Sequence, residues 1–235
     1  MRKHILFGTL ALLTGSLLAA NAAPKDEITA AAKKLADKDN YGWKQTVENA
    51  GGGGFGGGAT EGKAEKEGNI WLSMSMRDNT IEAVKKGEKG AIKTQDGWQS
   101  LSEATSGDPG PSTFIARRVQ NFKAPAAQAE DLAGTVKELK KDGEVYSGEL
   151  TEDGAKAQLM FGGRPGGGGP EVSGAKGSVK FWLKDGVLAK YEVKVQGKVS
   201  FNGNDRDVDR TTTVEIKDIG STKIQVPEDA KKKMS

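Results

Sequence analysis

The sequence predicts an α+β protein built on one strongly curved antiparallel sheet, an unclosed half-barrel of roughly ten strands with helices packed on its concave face. Three observations predict it. Apolar and polar residues alternate over much of the chain, which is the period of a half-buried strand. Reverse-turn pairs such as Asp185-Gly186 separate these runs. Two stretches, 25–40 and 112–134, instead carry apolar residues at helical spacing.

An export signal is predicted at residues 1–22. Arg2 and Lys3 precede an apolar run over 5–18, and Ala20-Asn21-Ala22 fits the small-residue rule for cleavage. The apolar run is shorter than the roughly 20 residues of a spanning helix, so we expect no stable membrane span after cleavage. The expected location is outside the cytoplasm, in the periplasm or the extracellular space.

The remaining residues, 23–235, are predicted to form a single curved-sheet domain. Removal of Arg2 and Lys3 lowers the formal charge from +3 to +1, a balance that gives no electrostatic case for nucleic acid. The chain has no cysteine, and its one histidine, His4, leaves with the signal. A histidine-based triad and a His- or Cys-ligated zinc site are thereby excluded. We predict no enzyme, no catalytic residue, no metal and no cofactor.

The first half of the domain is predicted as a helix over 25–40 followed by a meander of strands from Tyr41 to Leu101. The alternation is sharpest over 70–76, where Leu72, Met74 and Met76 share one face of a strand. Such a strand has one buried face and one wet or half-covered face.

Helices return in the middle of the chain, over 112–134, and are expected to lie against the apolar face of the sheet. A hairpin on Asp142-Gly143 and a short helix over 152–161 follow. The strongest strand signal comes last: a 15-residue strand after Asp185-Gly186 would extend about 50 Å, so we expect it to bend at Gly197.

Two glycine-rich stretches, 50–59 and 162–171, are predicted to be flexible loops at the sheet rim. Gly57 in the first stretch is followed five residues later, beyond the stretch, by Gly62-Lys63, which is the spacing of a phosphate-binding loop. Such a loop requires Ser or Thr after the lysine, whereas this chain has Ala64. The flexible-loop interpretation is therefore favoured over a nucleotide site.

Two further patterns were weighed against simpler interpretations. Acidic residues at 205, 207 and 209 have calcium-loop spacing, but Arg210 and Ile216 stand where an EF-hand needs Gly and Glu. We expect a polar turn between strands there. Trp71 and Trp182 lie on the polar faces of their strands; one helix across that face would cover both, and an exposed ligand-stacking surface is the alternative.

Three stretches of the sequence resemble a known group of exported proteins. They are "VKKGEKGAIKTQDGWQSL" (84–101), "FWLKDGVLAKYEVKV" (181–195) and "TTTVEIKDIGSTKIQVPEDA" (211–230). These patterns resemble the lipoprotein-carrier-like superfamily, the LolA and LppX/LprG-like proteins. The resemblance implies an unclosed curved sheet with helices plugging its concave side and acyl chains held between them. The chain departs from this group in two ways. It lacks the lipidated cysteine of many members, and its two glycine-rich stretches are not part of the group's pattern.

The predicted function is non-enzymatic binding of a hydrophobic or lipid-like ligand in the cell envelope, as a carrier or sensor. Two alternatives stay open: the same side chains could fill a core with no cavity, or the chain could be a structural or interaction module that engages an envelope protein. The candidate cavity-lining residues are Leu72, Met74, Met76, Phe114, Ile115, Phe181, Tyr191, Val193 and Val195.

Overall fold

A computed structural model describes most of the predicted domain. The predicted signal at 1–22 and nearly all of both glycine-rich stretches lie outside the described residues, so the expectations for them stay predictions. The described ranges are 23–50, 59–76, 79–106, 110–160, 170–201 and 203–234.

Eleven strands form one antiparallel sheet. They are β1 (Asn40–Asn49), β2 (Thr60–Glu65), β3 (Asn69–Met76), β4 (Asn79–Lys86), β5 (Lys89–Thr94), β6 (Gly97–Ser100), β7 (Lys140–Asp142), β8 (Val145–Glu149), β9 (Glu171–Lys184), β10 (Val187–Phe201) and β11 (Asn204–Lys217). Their order is β6-β5-β4-β3-β2-β1-β11-β10-β9-β8-β7, and the sheet does not close. The predicted α+β class with an unclosed curved sheet is confirmed.

Six helices are described: α1 (Pro24–Ala36), α2 (Leu101–Ser106), α3 (Pro111–Gln120), α4 (Pro125–Gly134), α5 (Glu152–Leu159) and α6 (Glu228–Lys233). Proline at the first turn starts α1, α3 and α4, where a missing N–H costs no hydrogen bond. The predicted helices near the start, over 112–134 and near 152 are confirmed. The first ends earlier than expected, because Asn40 already begins β1.

The first and last long strands pair at the centre of the sheet. β1 pairs with β2 on one side and with β11 on the other, with Trp43 opposite both Gly62 and Ile216. The meander β1–β6 and the group β7–β11 are thus halves of one sheet, and a single buried cluster runs along its inner face.

Helices cover the inner face in two blocks. α1 and α5 pack on β9 and β10, with α4 against α1, whereas α3 packs on β4 and β5. Alanines at 31 and 32 lie on the buried side of α1, and their small side chains allow a close approach to the sheet. No described helix is long and apolar enough to cross a membrane.

The outer face carries one helix, α6, which packs on β5 and β6. It covers a small cluster in which Ala230 meets Val84 and Ala91, with Trp71 and Trp98 beside them. The expectation that one helix covers both Trp71 and Trp182 is wrong, because β3 and β9 lie far apart in the sheet. The Lys190 ammonium, 4.8 Å from the ring centroid, covers Trp182 instead.

Glycines lie at the hairpin turn and at the register irregularity of the long strands β9 and β10. Asp185 and Gly186 both have positive φ, 54° and 70°, the geometry of a tight hairpin turn. The register of β9 against β10 shifts between Gln196 and Lys198, so Gly197 marks an irregularity as expected. Gly174 of β9 lies opposite this shift with φ of 62°.

The acidic stretch after Gly203 is strand, not the turn that we expected. Residues 205, 207 and 209 belong to β11, and their carboxylates project from the outer face toward lysines of β10. Lys198 Nζ lies 3.6 Å from the Asp205 carboxylate and Lys194 Nζ 4.0 Å from that of Asp209. Cross-strand pairing of opposite charges stabilises strand over turn here.

Candidate functional site

Most candidate cavity-lining residues are buried on the inner face, with two exceptions. Phe114 is 52% exposed, so its placement in the interior is wrong: the turn of α3 directs Ile115, not Phe114, toward the sheet. Met76 ends β3, and its side chain lies outside what the structure describes. The buried ones are Leu72, Met74, Ile115, Phe181, Tyr191, Val193 and Val195.

These buried residues belong to one continuous core but fall into two groups by strand. Leu72 and Met74 lie on β3, whereas Tyr191, Val193 and Val195 lie on β10, four strands away. Four strand spacings amount to roughly 19 Å. Each group adjoins a different helical block, so the residues between them decide whether a ligand has room.

The intervening part of the inner face, which we call the central strip, belongs to β11, β1, β2 and β3. The helices make few close backbone approaches to these four strands, which together span roughly 14 Å. Thr60, Met74 and Arg210 are buried, whereas Gln45, Val47 and Thr212 are half-buried, so the strip is most accessible around these three residues. The register places on it Trp43, Gln45, Val47, Thr60, Gly62, Leu72, Met74, Arg210, Thr212, Val214 and Ile216.

An aromatic group closes one end of the central strip. The Trp43 ring stacks on Phe122 with centroids 5.9 Å apart and an interplanar angle of 10°, and Tyr41 lies 5.9 Å away. Gly62 lies beneath the indole: a Cβ there would come within 2.0 Å of Trp43 Cζ2. This end is tightly packed.

Trp43 also contributes a polar atom without a partner. The side chain is 3% exposed, and its Nε1–H has no hydrogen-bond acceptor among the described residues. Buried indole N–H groups usually find a partner, and leaving one unmet costs about 1–3 kcal/mol. The indole is therefore a donor available within the strip.

A buried arginine lies at the opposite end of the central strip. Arg210 of β11 is 6% exposed, and its Nη2 donates a hydrogen bond to the Gln158 carbonyl at the end of α5. Burial first, and the charge of Arg118 second, lower the pKa of Arg210 to about 10. Arg118, on α3, is half-buried, and burial lowers its pKa too.

A pocket of 670 Å³ opens at the same rim. Gly197 and Val208, which line it, continue the inner face of β10 and β11 beyond Arg210. A second pocket, of 410 Å³, lies between the N-terminus of α1 and the end of α4, away from the strip. The first of these pockets lies next to Arg210 along β11, and Asp207 and Asp209 also line it.

A third buried cation, Lys85, has a structural role. Its Nζ donates to the carbonyls of Gln120 (2.7 Å) and Phe122 (3.2 Å) at the C-terminal end of α3. Burial lowers the pKa of the Lys85 amine. A cation at this end of a helix is favourable because carbonyls there lack intrahelical partners.

Replacing Lys85 with Met is expected to lower the free energy of unfolding by about 1–2 kcal/mol, since two carbonyls lose their donor. Urea denaturation monitored by tryptophan fluorescence measures the change. Lys86, the exposed next residue, provides the control Lys86→Met. Equal stability of the two variants would contradict the helix-capping role.

The described residues offer no set of metal ligands: no group of three or more His, Asp or Glu side chains in them could hold an ion. Nor do they include a histidine, because His4 lies outside the described ranges. What they do provide is a half-buried stretch of the inner face at Gln45, Val47 and Thr212, with the buried Trp43 Nε1–H at one end of the strip and the buried Arg210 at the other.

Comparisons with known proteins return similar folds only. No family model matches the chain, and no curated protein matches it. Among solved structures, LprF from Mycobacterium bovis is 12% identical with a TM-score of 0.46, over 89% of this chain and all of that one. The Mycobacterium tuberculosis lipoprotein LppX is 12% identical, TM-score 0.46, over 86% of this chain and 97% of that one.

A LolA superfamily protein from Nitrosomonas europaea is 8% identical with a TM-score of 0.36, over 87% of this chain and 96% of that one. LppX and LolA are names from the group that the sequence patterns resemble. At such low identity no residue role passes from these proteins to this chain.

The sequence patterns did not identify several residues of the strip. Arg210 could have been found, because it stands in phase with Val208 and Val214 at a position where an apolar residue is expected. Trp43 and Gly62 carry none, since their contact depends on the pairing of β1 with β2. Arg118 depends likewise on where α3 packs.

Proposed function

We propose that this chain is a non-enzymatic binding protein for a hydrophobic ligand with an acyl chain, held on the central strip. With the export signal expected at 1–22, it would act in the cell envelope, as a carrier or sensor. The observation that carries the proposal is the half-buried surface of Gln45, Val47 and Thr212 on the inner face, which lies between the two helical blocks and next to an apolar core.

Apolar contact supplies the affinity. Val47 and the methyl group of Thr212 provide half-buried apolar surface on the strip, and each methylene that leaves water there contributes about 0.8 kcal/mol. Leu72, Met74 and Val214 form the packed core beside this surface. The Trp43 Nε1–H offers a hydrogen bond to a ligand oxygen or an ordered water at the far end.

Adjacent threonines of β11 provide a matched test. Thr212 lies on the strip opposite Val47, whereas Thr213 faces the outer side opposite Thr46. Thr212→Trp should cover the half-buried surface around Val47 and weaken binding of a fluorescent fatty acid by on the order of tenfold or more, since several buried methylenes are displaced. Thr213→Trp should bind as the wild type does. Fluorescence titration measures both, and circular dichroism verifies that both fold.

Two results would contradict the proposal. Equal loss of binding in both variants would remove the site from the strip. No binding to the wild type, together with no acyl species co-purifying from its own host in native mass spectrometry, would favour the alternative of an envelope interaction module.

A further inference from the structure

We propose that the exposed side of α3 docks on the surface of an anionic lipid bilayer, with the Phe114 ring among the headgroups and Arg117 against lipid phosphates. The inference goes beyond the ligand site and does not depend on it, because this side of α3 faces away from the sheet and the central strip. It gives the chain a membrane surface as a partner.

Phe114 stands at the middle of the exposed side of α3. The helix buries four residues, Thr113, Ile115, Ala116 and Val119, and at 3.6 residues per turn Phe114 lies opposite their centre. Its side chain is 52% exposed, and only one other large hydrophobic side chain in the described part of the chain is exposed. About half of the ring therefore stays in contact with water.

The same helix carries positive charge and no carboxylate. Arg117 is exposed one turn after the ring, and the next residue, Arg118, is half-buried. The sequence from 109 to 129 contains no Asp or Glu. Lys123, which follows the helix, is paired with Asp131 and so adds no net charge. The charge beside the ring is thus set by the arginines, and it favours an anionic partner.

The combination of ring and arginine favours a bilayer over a protein partner. A single exposed ring is common on protein surfaces and indicates no partner by itself. A ring beside cations is typical of an interfacial helix, whose apolar side chain enters the headgroup region while its cations attract anionic lipid. The ring exposes about 100 Å², far below the roughly 1,000 Å² of a stable protein interface. A bilayer needs no complementary surface of that size.

Vesicle co-sedimentation tests the docking surface. The wild type should bind vesicles of phosphatidylglycerol and phosphatidylcholine in equal parts at least about fivefold more strongly than vesicles of phosphatidylcholine alone. Raising the salt concentration from about 0.1 M to about 1 M shortens the screening length from about 10 Å to about 3 Å and should weaken binding to the anionic vesicles.

Two variants of α3 have matched controls elsewhere in the chain. Phe114→Ser should weaken binding to the anionic vesicles about tenfold, and Arg117→Gln should weaken it about fivefold. Ile219→Ser changes the other exposed large hydrophobic residue, and Lys66→Gln removes an exposed cation from a turn; both should bind as the wild type does. Circular dichroism verifies that each variant folds.

A dye attached at position 114 reports the contact directly. Because the chain contains no cysteine, Phe114→Cys provides a single site for an environment-sensitive fluorophore. Its emission should rise and shift to shorter wavelength on the anionic vesicles, whereas the same fluorophore on Ile219→Cys should not respond.

Docking is separated from lipid uptake by Thr212→Trp, which covers the half-buried surface of the strip and should bind vesicles as the wild type does. No preference of the wild type for anionic vesicles, or equal binding by Phe114→Ser, would overturn the inference and leave the proposed function intact. A dimer in analytical ultracentrifugation that Phe114→Ser dissociates, without vesicle binding, would replace the bilayer by a second copy of the chain and also overturn it.

Discussion

Gly62→Ala is expected to destabilise the protein by about 3 kcal/mol, although alanine normally suits a strand better than glycine does. The added Cβ would come within 2.0 Å of Trp43 Cζ2 and 2.3 Å of Cε2, so the indole must move. Movement of the ring disturbs its stack on Phe122 and hence the closed end of the central strip. Urea denaturation monitored by circular dichroism measures the loss.

The same substitution at Gly134 is the control. Gly134 lies at the end of α4, and a Cβ there meets nothing within 4 Å, so Gly134→Ala should leave stability unchanged or raise it by less than about 1 kcal/mol. Removing the indole should also relieve the clash, so Gly62→Ala should cost much less in a Trp43→Ala background. A full cost in that background would show that the indole is not what the Cβ meets.

Alkaline pH is expected to unfold the protein through two buried tyrosines. Burial raises the pKa of Tyr41 to about 12, and a backbone hydrogen bond with Ala126 only partly offsets it. Burial also raises the pKa of Tyr191, whose hydroxyl donates to Gln128 Oε1 at 2.7 Å. Both residues lie on the inner face, next to α4.

The sign follows from proton binding. An unfolded tyrosine loses its proton near pH 10, whereas the folded Tyr41 retains it to about pH 12. Between these values the folded state binds more protons, so stability falls as pH rises. Each tyrosine should remove about 2–3 kcal/mol by about pH 12, and together they approach the total stability of an ordinary domain.

Denaturation curves collected from about pH 8 to about pH 12 test this expectation. The double variant Tyr41→Phe/Tyr191→Phe should start less stable, because it loses hydrogen bonds, but should lose much less stability with pH than the wild type. Lys85 acts in the opposite direction, since burial lowers its pKa and its deprotonation then favours the folded state. Parallel pH curves for the two proteins would contradict the assignment to the tyrosines.

The architecture could be predicted because residues close together in the sequence are enough to specify its strands and turns. Alternation over 70–76 and the Asp185-Gly186 pair specify a strand and a hairpin whatever surrounds them. Asp205 and its acidic neighbours were placed in a turn because composition favours one; the lysines of β10 that stabilise them as strand come from elsewhere in the chain. The prediction for Phe114 was wrong for a similar reason, since packing sets which side of α3 faces the sheet.

The candidate site could be predicted only in part. The alternation of apolar and polar residues is enough to place Leu72 and Tyr191 on the inner face. That these residues lie four strands apart, with half-buried side chains between them, depends on the strand order, in which β11 and β1 meet at the centre of the sheet.

The tryptophans allow the most direct test of the central claim, that an acyl chain lies on the inner face. Trp43 is on that face, whereas Trp71, Trp98 and Trp182 are on the outer face. In single-tryptophan variants with the other three replaced by Phe, brominated stearic acid should quench the fluorescence of Trp43 and leave the other three unquenched, because bromine quenches only at short range. Quenching of an outer tryptophan with Trp43 unaffected, or of none at saturating ligand, would contradict it.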